Sequence, residues 1–141
     1  MSTSTKYEYH EDSTPIPDSP EVVWVFGSNL SGIHGAGAAL VAKNMFNAEF
    51  YVGKGATGRS YAIPTKGKYE ARLPTLPLND IEQHVRDFRV YADANPAKIF
   101  WVTRIGCGYA GYTDDQIAPL FKGCPANCNF ATQWQPYLED M

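Results

Sequence analysis

VWVFGSNLSGIHGAGAA (residues 23–39) decides how this chain is read. A run of β-formers stops abruptly at Gly27, and glycine then recurs at positions 32, 35 and 37. FWVTRIGCGYAGY (residues 100–112) repeats the design, with glycine at 106, 108 and 111. Glycine lets backbone approach a ligand closely and adopt positive φ without a Cβ clash. A buried strand, then such a turn, then a helix start aims backbone N–H groups at phosphates. Two turns of this kind predict a ligand with two anchor points, such as a diphosphate-linked nucleotide.

The first turn does not match the six-residue dinucleotide fingerprint, and no Gly-Lys-Ser/Thr follows it as in a P-loop. Its weight comes from position, because residues 22–26 read as a buried parallel strand and residues 35–46 as a helix with small residues at its start. Asn29 suits either a sugar hydroxyl or a cap on the turn itself. His34 is the titratable side chain of the loop, a candidate catalytic base or a structural group. In the second turn Tyr109 and Tyr112 offer rings for stacking, with burial in the core as the alternative. Cys107, between two glycines, is a candidate nucleophile.

Between the turns, YVGKGATGRSYAIPTK (residues 51–66), with Lys54 and Arg59 among its glycines, reads as a flap that closes over a ligand with one cation or as a plain connection. Residues 61–64 form a short strand that Pro64 ends or places at an edge. Lys54, Arg59, Lys66, Lys68 and Arg72 are five of the chain's twelve basic residues. They form either a solvated face or a positive rim for an anion. Asn79 or Asp80 caps a helix reaching about residue 94, with Ile81, Val85, Phe88 and Tyr91 on one face. Thr113 caps a helix through Phe121, with Asp114 and Asp115 in its first turn. Residues 127–131 read as a last short strand. The strand–helix alternation predicts an α/β fold with a mainly parallel sheet.

With 141 residues, 44% of them hydrophobic, the chain has the size of one domain with a real core. Residues 1–20 are rich in Ser, Thr, Pro and acids, and read as a mobile arm in which Tyr7, Tyr9 and Ile16 are available as anchors. Residues 21–141 form the domain. The net charge of −3 argues against nucleic acid as a partner. No apolar run approaches a membrane span and no signal peptide is visible. Cys107, Cys124 and Cys128 lack a second metal-ligand pair, so neither a metal nor a cofactor is expected, and reduced thiols fit a cytoplasmic location.

At these loops the chain resembles the macro domain family of ADP-ribose-binding modules. GSNLSGIHGAGAAL is similar to the family's first loop, with Asn29 at the asparagine and Gly35, Ala36 and Gly37 at the glycine run. FWVTRIGCGYAGY is similar to the second phosphate loop, and GATGRSYAIPTK to the middle segment. Residues 22–134 also resemble small, often phage-encoded macro-like proteins in FGSN, HGAGAA, YAIPTK, TLPL, IGCG and AGY.

The resemblance implies a three-layer α/β/α sandwich with a mixed, mainly parallel sheet and a ligand cleft at the strand C-termini. The loops and the resemblance together give Gly27, Ser28, Asn29, His34, Gly35, Ala36, Gly37, Arg59, Arg104, Gly106, Cys107, Gly108, Tyr109, Ala110, Gly111 and Tyr112 as the expected ligand contacts. The ligand is an ADP-ribose-like small-molecule nucleotide, or a cyclic one. The chain is short for the family, which implies a missing outer strand or helix. Asp18 and Glu21 are the nearby acids for an adenine amino group. Between residues 22 and 69 the sequence has one acid, Glu49, which favours holding the ligand, as in sequestering a host signal, over cutting it. Hydrolysis of an ADP-ribosyl bond and a non-catalytic protein-interaction role are the alternatives. A second subunit closing the cleft leaves a homo-oligomer open.

Overall fold

The computed structural model describes residues 6–108 and 110–139. Its central strand, β2 (Val22–Asn29), is apolar at consecutive positions because both its faces are covered. Val22, Trp24 and Phe26 point to one side, where α1 (Gly37–Met45) supplies Ala42, with Phe46 and Ala48 just after it. Val23 and Val25 point to the other side, where α2 (Leu78–Asp93) supplies Ile81, Val85, Phe88 and Ala92. These two clusters are the two cores of a three-layer α/β/α sandwich.

The sheet also contains β1 (Glu8–His10), β3 (Gly55–Thr57), β4 (Ser60–Lys66), β5 (Ile99–Val102) and β6 (Cys128–Ala131), in the order β1-β6-β5-β2-β4-β3. Every pair is parallel except β3 with β4. The short helices α3 (Asp114–Ile117) and α4 (Gln135–Leu138) place Ile117 and Leu138 in the same core as α2. The expected class, α/β with a mixed, mainly parallel sheet, is the one found.

Three expectations change in detail. Residues 7–10 are not an arm: β1 pairs with β6, Tyr7 is buried, and its hydroxyl donates to the Cys124 carbonyl at 2.7 Å. Ile16 packs against the α1-side core. Pro64 does not end its strand. Trp24 N–H bonds the Arg59 carbonyl, so residues 59, 61 and 63 address β2 and residue 64 addresses the side that β3 has already left at Ala62. The helix expected from Thr113 to Phe121 keeps its cap, since Thr113 and Gln116 form a capping box, but it tightens into a 3-10 turn over Ala118–Phe121. Among the described residues no helix is long and apolar enough to cross a membrane.

Candidate functional site

The parallel strands all deliver their C-terminal ends to one edge of the sheet, and the cleft lies there. β2 ends in Gly27, Ser28 and Asn29, opposite Ile63, Pro64 and Lys66 of β4. One extra residue on β4 makes a bulge at this point. Bulges bend a strand and re-aim side chains next to sites. Thr65 donates its hydroxyl to the Ser28 carbonyl at 3.4 Å, and Lys66 comes to the cleft wall.

Asn29 spends its side chain on the turn. Its Oδ1 accepts from Ile33 N–H at 3.1 Å, and its Nδ2 donates to the Ile33 carbonyl at 2.9 Å. Of the two roles open to it in the sequence, capping is the one the structure shows. Gly32 completes the turn at φ +69°, and a Cβ there would stand 2.4 Å from the Tyr51 carbonyl carbon. The loop is therefore clamped between its own asparagine and residues 51–53, where Ser28 Oγ also donates to the Gly53 carbonyl.

Gly35 to Ala39 carry the chain into α1. Ala36 is extended, and no side chain caps the helix. The first N–H groups of a helix have no partner within it. Here the helix start borders the cleft, with Gly35, Ala36, Gly37, Ala38 and Ala39 in its lining. The positive end of the helix dipole lies among them, equivalent to roughly half a charge.

The second turn follows β5. Thr103, Arg104, Ile105, Gly106, Gly108 and Ala110 line the opposite wall. Gly106 adopts φ +79°, and a Cβ there would press on Ile117 at 3.1 Å. The two turns abut, since a carbon placed on Gly27 would stand 3.6 Å from the Gly106 nitrogen. Arg104 forms a two-pronged pair with Asp114, Nε to Oδ1 at 3.0 Å and a terminal nitrogen to Oδ2 at 2.7 Å. Trp134 also donates its indole N–H to Asp114, at 2.8 Å. The Arg104 guanidinium holds the Asp114 carboxyl below its ordinary range.

Residues 67–76 form a strap beside the cleft. Tyr69 N–H bonds Ser31 Oγ of the first turn at 2.9 Å, and Thr75 Oγ1 donates to the Ala110 carbonyl of the second at 3.1 Å. Tyr69 and Leu73 add apolar surface to the lining. The cleft volume is about 580 Å³, well within the size of small-molecule sites.

Of the residues expected to contact ligand, Gly27, Ser28, Asn29, Gly35, Ala36, Gly37, Arg104, Gly106, Gly108 and Ala110 line this cleft. Others do not. His34 is fully buried between Phe26 and Phe50, with Nε2 on the Glu49 carbonyl at 2.9 Å, and burial lowers its pKa. Arg59 stands at the N-terminal end of β4, the wrong edge of the sheet, where it bonds the Ser19 and Met45 carbonyls. Cys107 is half-buried beside the turn, and burial, reinforced by Asp114, pushes its thiol up to about 12. Tyr112 turns inward and donates to the Leu76 carbonyl at 2.6 Å, and Gly111 lies outside the lining. Tyr109 falls outside the described residues. Glu21 belongs to the far end of β2, where its carbonyl accepts from Ile99 N–H.

Sequence reasoning missed Thr65, Tyr69, Leu73 and Thr103. Lys66 was visible as part of the basic cluster, although nothing in the sequence separated it from Lys54, which pairs with Asp87. No Asp or Glu is among the lining residues, and no group of three or more His, Cys, Asp or Glu among the described residues is placed to hold a metal.

No protein-family model matches the chain, and no curated protein matches it. Solved structures do. The macrodomain of Mycobacterium tuberculosis DarG matches with a TM-score of 0.63 at 18% identity, over 89% of this chain and 97% of that one. The macrodomain of Thermus aquaticus DarG matches with a TM-score of 0.61 at 18% identity, over the same shares. Thermosipho africanus DarTG, solved in complex with ADP-ribose, matches with a TM-score of 0.55 at 15% identity, over 80% of this chain and 39% of that chain. The strand order, the two-sided helical cover and these likenesses together show that the chain has the macrodomain fold.

Proposed function

We propose that the cleft binds an ADP-ribose-type or cyclic nucleotide and holds it intact. The observation that carries this reading is the wall chemistry. An uncapped helix start and a glycine turn face the same space, with Lys66 and Arg104 beside them and no carboxylate in the lining. Such a surface attracts phosphate and offers it backbone donors.

Cutting the ligand needs a positioned base or nucleophile. Of the three side chains suited to that work, His34 lies between aromatic rings, Asn29 is engaged by its own turn, and burial pushes the Cys107 thiol up to about 12. The biological role we propose, from the resemblance to phage-encoded proteins, is sequestration of a host nucleotide signal.

Calorimetry against ADP-ribose, its cyclic isomers and cyclic dinucleotides tests the binding. At least one of them is expected to bind at micromolar concentration, and silence from all of them at high micromolar concentration removes the reading. Mass spectrometry of the ligand after long incubation tests the second half. Intact ligand is expected, and a cleaved product means an enzyme.

A further inference from the structure

Beside the first turn lies an apolar patch that the fold leaves uncovered. Tyr51 is 79% exposed, Phe50 42%, Leu30 41% and Leu40 37%. The Phe50 and Tyr51 rings stand 6.1 Å apart. The Lys43 ammonium lies 4.2 Å from the Phe50 ring centroid, and Leu40 precedes Lys43 by one turn of α1. Tyr51 N–H bonds the Gly32 carbonyl at 2.8 Å, which ties the rings to the turn that carries Leu30. Single exposed apolar residues are ordinary, whereas a cluster of large ones marks a contact surface.

Tyr51 is also held in the left-handed region, at φ +69°, which is costly for a bulky side chain. Its backbone is fixed on Gly32 while its ring stands in solvent, so the single chain gains little from the ring. A tyrosine has few torsions to lose on contact and is a common anchor of interfaces.

Charge identifies what covers the patch. Lys43 and Glu49 are exposed at its edge and take part in none of the ion pairs among the described residues. One is basic and the other acidic, so the patch complements itself. Under a two-fold rotation Lys43 of each copy meets Glu49 of the other, with the aromatic rings between them. A uniformly acidic or basic partner meets one of the two with like charge.

We propose that this face is the interface of a two-fold homodimer, with Phe50 and Tyr51 at its centre and two reciprocal Lys43–Glu49 pairs at its rim. Residues 51 and 53 also bond the first cleft turn, through the Gly32 carbonyl and Ser28 Oγ, so the dimer braces one cleft wall without entering the cleft. Dimerisation is independent of what the cleft binds.

Sedimentation velocity of the full chain between about 1 and 200 µM is the test. A monomer that passes to a dimer across this range is expected, because the patch is small for a protein interface. Lys43→Glu and Glu49→Lys each put like charges opposite one another twice, and each is expected to weaken the dimer by about tenfold. Mixing the two variants restores it, since every Glu then faces a Lys, and so does combining both changes in one chain. Tyr51→Asn removes the ring, keeps a residue that tolerates positive φ, and is expected to abolish the dimer. A chain still monomeric at about 200 µM overturns the proposal. So does a dimer that Tyr51→Asn and both charge reversals leave unchanged, because its interface is then elsewhere. A dimer that each reversal weakens but the mixture does not restore overturns the two-fold pairing.

Discussion

Asp114 receives donors from two distant parts of the chain, Arg104 after β5 and Trp134 after β6. It therefore fixes the shape of the second turn from beneath. Asp114→Ala strands the buried Trp134 indole N–H and frees the guanidinium, and is expected to cost about 2 kcal/mol by urea unfolding. The sign with pH follows from its lowered carboxyl. The stability it contributes is fully present above the ordinary value of 3.8 and disappears as acid carries the protein below the folded value. The gap between the wild-type and Asp114→Ala curves should narrow there by the charge-dependent part.

Cys107 gives an independent check on the residues that sequence adjacency made suspect. Its raised thiol predicts slow alkylation at about pH 8 in the native protein, with fast labelling of all three cysteines only after unfolding. Rapid native labelling at Cys107 contradicts the environment described. His34 and Arg59 were suspect for the same reason, closeness to glycine, but a sequence does not show which edge of the sheet a loop serves. That depends on where the neighbouring strand begins, and Arg59 precedes β4 whereas Lys66 ends it.

At the scale of elements, the most legible parts were those with strong local codes. The α2 face repeated at helical spacing, and three of its four predicted positions, Ile81, Val85 and Phe88, are fully buried. The Thr113 cap was readable because a capping box is a local pattern. β1 was not readable: three residues, Glu8, Tyr9 and His10, in a polar setting carry no period, and their pairing with β6 is a long-range contact. Deleting residues 1–10 separates the arm reading from the strand reading. The strand reading predicts a loss of at least about 3 kcal/mol, from Tyr7 burial alone or more, together with exposure of the β6 edge. Urea unfolding of the shortened chain measures it, and unchanged stability contradicts the strand.

Across the whole molecule, three histidines share one electrostatic tendency. His10, His34 and His84 are each held below the ordinary value of 6.5, and burial is the leading cause in every case. A histidine kept neutral by the fold takes up its proton more readily when the chain is unfolded. Stability is thus complete above 6.5 and falls as pH drops through that value toward the lowered folded ones. Denaturation midpoints between about pH 8 and pH 5 should decline monotonically on the acid side, and a flat profile contradicts the burial of these rings.

The architecture as a whole was legible because both faces of β2 are apolar and two glycine turns follow its parallel strands. The strap over the cleft was not, since its path is set by single bonds to Ser31 and Ala110 rather than by any repeating pattern.

The marriage of β1 to β6 has a consequence for how the protein is made. Tyr7 meets Cys124 across 117 positions of chain, so the edge strand β1 finds its partner only when β6, the latest of the described strands, has emerged. A growing chain on the ribosome can assemble β2, β4 and β5 around α1 and α2 while β1 waits without its partner. Such distant pairings are slow to form and leave an unsatisfied strand exposed in the meantime. Among the described strands, the pairing of β1 with β6 is the one that must wait longest, and a delay in it leaves the nascent strand open to pairing with the wrong neighbour.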